Sequence, residues 1–213
     1  HRCSMSFGYI GDTSTSVKQQ VKNKGILTTQ ESFDLERQGF LGGSLELIET
    51  QTPSGVAQVD FTNIKESSYD IHFIQMISME TTSTGHPQAS KMQLRFSNNG
   101  GTSFESGSSD YAGGQQYVAF NGSNAESKDA ADTSLEISPR ANSGEPISLY
   151  MYIYNAGNSS FTTNISLQTT ISRDQKEFFF GGGVYNTKET INAFRFYNAY
   201  NMTGTLNLYG VKK

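Results

Sequence analysis

The sequence predicts an all-β fold, a jelly-roll-like antiparallel β-sandwich preceded by a short helical N-terminal arm. Three observations support this prediction. Apolar and polar residues alternate from residue 44 onward, turns rich in Gly and Asn separate the alternating runs, and no long helical pattern lies between them. Parallel strands would need crossover helices, so the strands must pair antiparallel. About ten such runs fit two packed sheets, and their long connections favour a jelly roll over an immunoglobulin-like sandwich.

Residues 1–43 form the predicted arm, which contains two short helices. The first is a weakly apolar segment that ends at Gly25, a residue type common just after a helix C-terminus. In the second, Thr28 and Glu31 have the spacing of a capping box, which predicts a helix over residues 29–38. Helices this short are marginal in water, so we expect the arm to dock on another protein. The candidate anchoring residues are the apolar ones of this segment: Phe33, Leu35, Phe40 and Leu41.

Residues 44–213 form the predicted β-sandwich domain. The run Ile147–Tyr154 illustrates its alternation, with aliphatic and Met side chains on one face and tyrosines on the other. Because both faces are partly apolar, two interpretations stay open. The tyrosines form a half-buried outer surface, or they form a subunit interface, since tyrosine combines a large apolar ring with a hydrogen-bonding hydroxyl. The candidate interface residues are Tyr150, Tyr152 and Tyr154.

One stretch of the domain lacks the alternation. Residues 103–131 are rich in Ser, Gly, Asp, Ala and Asn, and their apolar content is confined to Tyr111 and a short run that begins at Tyr117. Loops this long inside a compact domain are usually functional or run as an excursion over the surface. We therefore expect a surface excursion here, with Tyr111 and Tyr117 as candidate contacts for a glycan. Tyr197 and Tyr200 form a second candidate patch on which a glycan could stack.

Three consecutive glycines, Gly181–Gly183, follow three phenylalanines. A phosphate-binding glycine loop would need a helix after it, and the residues that follow do not start one. The glycines therefore predict a strand break or bulge at a point where two backbones approach closely.

The composition excludes several classes of protein. The chain has 213 residues and a formal net charge of −4, so it lacks the basic surface of a nucleic-acid-binding protein. The sequence has no apolar run long enough for a transmembrane helix, and no apolar stretch typical of a secretory signal follows its N-terminus. The single cysteine, Cys3, cannot form an intramolecular disulfide. We expect no nucleic-acid partner and no insertion into a membrane.

Catalytic and metal-binding motifs are absent from the sequence. It contains neither a G-x-S-x-G elbow nor an H-E-x-x-H motif. His72 is best explained as an exposed or hydrogen-bonded strand histidine, and His86 as a solvent-exposed loop residue. A cation site or a glycosidase needs acidic side chains that lie close together. The sequence gives no reason to expect this of its three acidic groups, which are Glu126, Asp129 and Asp132; Glu66 and Asp70; and Asp174 and Glu177. We expect no enzymatic activity, no metal site and no cofactor.

Five segments of the chain combine turn and core residues in a recognisable order. Residues 25–49 contain the runs G-I-L-T-T and L-G-G-S-L, and residues 59–64 read V-D-F-T-N-I. Three more segments close the chain, at residues 180–184, 191–196 and 204–211. Together these segments resemble small structural proteins of marine tailed bacteriophages, particularly phages of cyanobacteria, with their I-D-F-T-x-I strand and C-terminal hairpin. The likeness covers most of residues 5–213 and weakens through residues 83–131.

The resemblance implies a component of a virion. It implies that the arm anchors the chain to the capsid or to another virion protein, and that the β-domain faces outward as a capsid decoration or head-fibre-type protein. Fold analogy predicts a homo-oligomer, and trimers are common among such jelly-roll spikes. The alternative function is a receptor- or glycan-binding module of a phage tail or fibre, whose partner would be a host surface glycan. The resemblance implies no catalytic residue, because its motifs consist of turn and core residues.

Overall fold

The computed structural model describes Gln30, residues 44–85, Pro87, residues 90–171 and residues 177–212. All described strands lie in the unit Leu45–Lys213, the second of the two units into which the chain divides. Apart from Gln30, the predicted arm lies outside the described residues. The following candidate residues from the sequence analysis also lie outside the described residues: Phe33, Leu35, Phe40, Leu41, His86 and Asp174.

Eleven antiparallel strands make up the described domain, and helix is almost absent from the described residues. The prediction of an all-β antiparallel fold is therefore confirmed. The strands are β1 (Leu45–Gln51), β2 (Ser54–Phe61), β3 (Ile71–Thr81), β4 (Lys91–Ser97), β5 (Tyr111–Ala119), β6 (Asn124–Asp132), β7 (Leu135–Arg140), β8 (Ile147–Tyr154), β9 (Asn164–Ile171), β10 (Glu177–Tyr185) and β11 (Ala193–Val211).

The last strand, β11, links the parts of the sheet because it pairs along both of its edges. Its first half pairs with β2 and β4, so that Phe194 lies opposite Phe61 on one side and Phe96 on the other. Its second half pairs with β1 and β3. The register shifts between the halves near Gly204, where a Cβ atom would lie only 2.9 Å from the Cα of Met79. A larger residue at this position would push β11 away from β3.

The strands follow one path, β6-β5-β10-β9-β8-β3-β11-β4-β7, which curls into a half-barrel. The curl brings β7, at one end of this path, into contact with β5, β9 and β10 near the other end. Two side chains fasten this contact. Thr169 Oγ1 donates a hydrogen bond to the carbonyl of Ile137 at 3.0 Å, and Gln115 Nε2 donates to the carbonyl of Glu136. The sheet therefore forms two layers where β7 lies over β5, β9 and β10. The jelly-roll arrangement stays a prediction.

The core fills the inside of the half-barrel with the inward-facing residues of nearly every strand. In β8 the aliphatic and Met side chains are buried and the tyrosines are not, as the alternation predicts. Burial of such apolar surface is the main favourable contribution to folding. At one end of the core Phe96 packs against three other rings, at centroid distances of 5.7 to 6.0 Å: those of Tyr111, Tyr185 and Phe194.

The stretch 103–131 is a strand hairpin over most of its length, so the predicted surface excursion is wrong. Strand β5 pairs with β10, and β6 pairs with β5, so both strands belong to the sheet. The apolar alternation is missing because β5 uses glycines and glutamines where other strands use apolar residues. Gly113 lies opposite Gly183 on β10, and Gln115 is committed to the contact with β7.

The triple glycine lies inside β10, which continues through it without interruption. The expected close approach of backbones is present, because a Cβ atom at Gly181 would collide with the carbonyl oxygen of Gly114. A Cβ atom at Gly183 would collide with Leu135 on β7. The predicted strand break is wrong, since β5 and β9 pair with β10 along all three glycines. Residues without side chains at this point let β7 close over β10.

Candidate functional site

An aromatic cluster covers the outer surface of the sheet around Phe73 on β3. The Phe73 ring lies 5.0 Å from Tyr152, 5.9 Å from Tyr209 and 6.4 Å from Tyr150, measured between ring centroids. Tyr154 stacks against Tyr152 at 6.2 Å. The register explains the cluster, because Phe73 lies directly opposite Tyr152 on β8 and Tyr209 on β11. We call these five residues the tyrosine face.

The tyrosine face is partly exposed, and strand β9 holds two of its hydroxyl groups. Tyr150 is 45% exposed, and Tyr152 and Tyr154 are of intermediate exposure. The Tyr150 hydroxyl donates a hydrogen bond to Gln168 Oε1, and the Tyr154 hydroxyl lies 3.1 Å from Ser166 Oγ. These bonds fix the orientation of the rings. A half-buried outer surface and a subunit interface both fit this geometry, so the interface stays a prediction.

The tyrosine face belongs to a wider outer surface without charge. Every outward-facing residue is uncharged on β5, β8, β9 and β10, on β3 as far as Ile77, and on β11 from Thr205 onward. Protein surfaces usually carry many charged side chains, and the centres of interfaces are depleted of them. One cross-strand row shows the composition of this surface: Asn207, Gln75, Tyr150, Gln168, Phe180 and Gln116 lie side by side on six strands.

Two phenylalanines on β10 extend the uncharged surface toward β5. Phe178 and Phe180 are each 49% exposed. Phe178 lies opposite the exposed Val118, and Phe180 lies between Gln116 on β5 and Gln168 on β9. We call these five residues the phenylalanine patch. The sequence predictions missed it, although a period of two within the three consecutive phenylalanines would have placed the first and third on the same face of the strand.

The outer surface of β2, β4, β7 and the first half of β11 has the opposite character, and we call it the charged face. Arg195 donates from Nε and Nη2 to the two carboxylate oxygens of Asp60, each at 2.7 Å. Its guanidinium carbon lies 4.0 Å from the ring centroid of Phe104. The hydrogen bonds to Asp60 raise the pKa of Arg195 above its usual value. Lys91 and Glu136 form a second ion pair at 2.6 Å.

Tyr111, a candidate glycan contact, is completely buried in the core. Its hydroxyl accepts a hydrogen bond from the Phe96 amide at 2.9 Å and donates one to the carbonyl of Glu105 at 3.1 Å. Burial raises the pKa of this hydroxyl above its usual value. Tyr111 is therefore not available to a glycan. The sequence suggested otherwise because a polar segment precedes this tyrosine and hides the start of β5.

The other candidate glycan contacts lie on separate parts of the sheet. Tyr117, on β5, stacks on the largely buried ring of Phe179 at 5.3 Å. Tyr197 lies on the charged face, with the guanidinium carbon of Arg95 4.9 Å from its ring centroid. Tyr200, farther along β11, is of intermediate exposure. The structure does not assemble these tyrosines into one platform.

His72 is buried on the inner face of β3. Its Nε2 atom lies 2.8 Å from the carbonyl oxygen of Ile64, which places the ring proton on Nε2. The Nδ1 atom is buried and has no hydrogen-bond partner among the described residues. The rings of Phe194 and Tyr69 contact the imidazole edge-on, at 5.5 and 6.3 Å. Burial lowers the pKa of His72 below its usual value near 6.5. Of the two states that the sequence left open, the hydrogen-bonded strand histidine is confirmed.

The carboxylates of Glu105, Asp110 and Glu189 lie near one another at one end of the sheet. The Tyr185 hydroxyl donates to one carboxylate oxygen of Glu189, and Asn98 Nδ2 donates to the other at 2.8 Å. Burial, together with the nearby charges of Glu189 and Asp110, raises the pKa of Glu105 above its usual value. The sequence gave no indication of this group, because its members come from two distant loops.

The acidic residues weighed from the sequence do not form a metal site in the part of the chain that the structure describes. Glu126 lies on the exposed strand β6 and pairs with Lys128 at 3.3 Å. Among the described residues, no three His, Cys, Asp or Glu side chains are arranged to hold a metal ion.

Comparison with known proteins gives no match. No protein-family model, no curated protein and no solved structure matches the chain. Within the described residues, no helix has the length and apolar character needed to cross a membrane.

Proposed function

We propose that the chain is a structural component of a bacteriophage virion, a capsid decoration or head-fibre-type protein. In this proposal residues 1–43 anchor the chain to the capsid or to another virion protein, and the β-domain faces outward as a homo-oligomer. The resemblance of residues 25–49 and 204–211 to phage structural proteins supports this role. The proposal includes a jelly-roll-like sandwich, for which the layering of β7 over β5, β9 and β10 is the support.

The observation that carries the proposal is the difference between the two outer surfaces of the sheet. On the charged face, Arg195, Asp60, Lys91 and Glu136 pair locally, as expected for a surface in contact with water. The other outer surface is uncharged and contains the tyrosine face. Interface centres are depleted of charge and enriched in Tyr and Phe. We therefore assign the tyrosine face to contacts between subunits, with Tyr150, Tyr152 and Tyr154 as its contribution from β8.

Removal of the arm tests the anchoring role. A chain that lacks residues 5–43 is expected to keep the circular dichroism spectrum of a β-protein and a cooperative thermal transition, because every described strand lies beyond this segment. Particles assembled with the shortened chain are expected to lack it, whereas particles assembled with the full chain carry it. Incorporation of both chains to the same level would contradict the anchoring role.

A second candidate function is a glycan-binding module of a phage tail or fibre. The observation that favours it is the phenylalanine patch, in which exposed rings lie beside exposed amide groups. The isolated full chain should then bind neutral glycans and block adsorption of the phage to its host. A chain that neither binds glycans nor blocks adsorption would leave only the structural role.

A further inference from the structure

We propose that the phenylalanine patch binds an uncharged polysaccharide, which lies across strands β9, β10 and β5. The inference rests on the second candidate function, to which it adds an extended polymer as the ligand and its course across three strands. It does not require the virion role, because carbohydrate binding and incorporation into particles are measured separately.

The two rings of the patch provide the apolar part of the site. Phe178 and Phe180 are two residues apart on β10, so their Cα atoms are separated by about 7 Å on the same side of the sheet. Each side chain is half-exposed, as expected when one ring face packs on the sheet and the other meets solvent. The C–H faces of sugar rings pack well on exposed aromatic rings of this kind.

Amide groups flank one ring and provide the polar part of the site. Phe180 lies between Gln116 and Gln168, both exposed, whose amides can donate to and accept from sugar hydroxyls. Gln168 is already oriented, because its Oε1 accepts a hydrogen bond from the Tyr150 hydroxyl. Side chains held in place before binding lose less conformational entropy when a ligand arrives.

A strip with almost no side chains runs beside Phe180. The next outward row along the strands consists of Ser166, Gly182 and Gly114, which lie opposite one another on β9, β10 and β5. Phe180 and Val184 lie on either side of this row on the outer side of β10. The strip is therefore a shallow trough between these two side chains. The trough crosses two strand spacings, about 10 Å, and gives an extended chain a course across the strands.

Charge and composition favour a neutral polysaccharide over a protein partner. The outward-facing residues of β9, β10 and β5 are all uncharged, so the patch offers no ion pair to an acidic glycan or to a charged protein. Beyond them, Lys128 on β6 is exposed and already paired with Glu126. On β9 every outward position carries a hydrogen-bonding side chain, whereas the centre of a protein interface is predominantly apolar. Rings that alternate with amides match a ligand whose apolar faces alternate with hydroxyl groups.

Affinity electrophoresis of the full chain tests the proposal. Native gels contain dextran, hydroxyethylcellulose, soluble starch, xylan or mannan, and alginate serves as a charged comparison. A dissolved polymer slows every protein by sieving, so affinity is measured as retardation relative to a reference protein that does not bind carbohydrate. We expect retardation in at least one neutral polysaccharide and none in alginate. The double variant Phe178→Ala/Phe180→Ala should weaken binding at least tenfold, since removal of aromatic anchors typically costs ~1.4 kcal/mol or more.

Phe161→Ala is the matched control, because Phe161 is 58% exposed but lies in the loop between β8 and β9, outside the patch. It should bind as the wild type does, and thermal unfolding should show that both variants remain folded. Retardation that survives in the double variant would overturn the patch while leaving glycan binding in place. Absence of retardation in every neutral polysaccharide would overturn both. If the double variant instead has a lower sedimentation mass than the wild type, the patch contacts a second copy of the chain. That result would overturn the proposal.

Discussion

Arg195 on β11 and Asp60 on β2 form a bidentate ion pair, with Nε and Nη2 each 2.7 Å from a carboxylate oxygen. The two residues are 135 positions apart in the sequence, and they lie opposite each other in the ladder between the two strands. Their side chains are only 25% and 26% exposed. Bidentate pairs between Arg and carboxylate combine strength with a fixed geometry. This pair therefore fastens β2 to the strand that links the sheet.

Replacement of Asp60 with Ala should destabilise the domain. The change leaves a largely buried guanidinium without its partner, so we expect the free energy of unfolding to fall by about 2–3 kcal/mol. Urea unfolding measures this loss. The control is Glu126→Ala, whose pair with Lys128 is exposed and should contribute less than ~1 kcal/mol. Equal losses in the two variants would show that the Arg195 pair has no special role.

Stability should depend on pH through His72. Burial holds the pKa of His72 below 6.5, so the folded protein keeps this ring neutral at pH values where the unfolded chain is protonated. The stability that results is fully present above pH 6.5 and is lost as the pH falls below it toward the folded-state pKa. We expect the free energy of unfolding of the wild type to decrease from about pH 7.5 to about pH 5.5.

The variant His72→Gln tests this dependence, because a glutamine amide can still donate to the Ile64 carbonyl but does not titrate. The variant should be less stable at pH 7.5 and should show a flatter pH profile. A profile with the slope of the wild type would show that other groups cause the pH dependence.

Gly181 on β10 should tolerate substitution less well than Gly114 on β5. A Cβ atom at Gly181 would collide with backbone atoms of Gly114 and Gln115, so Gly181→Ala should destabilise the domain by about 1–3 kcal/mol. A Cβ atom at Gly114 would meet no atom closer than 3.8 Å, so Gly114→Ala should be close to neutral. Thermal unfolding of the two variants provides the comparison. Similar melting temperatures would mean that close strand approach is not what requires glycine in β10.

The fold class could be predicted from the sequence, whereas the contacts between distant segments could not. Alternation in Ile147–Tyr154 predicted a strand with one buried face, and that face lies in the core. The alternation fails in β5, because Gly113 and Gln115 meet other glycines and the backbone of β7 rather than a simple apolar core. No local sequence pattern reveals that a polar segment such as β5 forms a strand by packing against β10 and β7, which lie elsewhere in the sequence.

The candidate site shows the same limit. The tyrosines of β8 were recognisable because their positions repeat every second residue. Their association with Phe73 and Tyr209 depends on the register of three strands, which a single sequence does not reveal. The burial of Tyr111 likewise follows from Phe96 and Tyr185, which lie on other strands.

Substitutions in the tyrosine face should reduce self-association. The double variant Tyr150→Ser/Tyr152→Ser removes two rings from the proposed subunit interface, so we expect its sedimentation mass to fall toward that of one chain at micromolar concentration. Tyr197→Ser, on the charged face, is the control and should keep the mass of the wild type. A wild type that sediments as a single chain, or a double variant that keeps the oligomer mass, would contradict the assignment of this surface.

The central claim is that the chain is built into a virion, and quantitative mass spectrometry of gradient-purified particles tests it most directly. We predict a fixed ratio of this chain to the major capsid protein. The ratio should survive a high-salt wash, because the proposed anchoring residues Phe33, Leu35, Phe40 and Leu41 are apolar, and apolar contacts are not weakened by ionic screening. Purified particles that lack the chain, or that lose it in the wash, would contradict the claim.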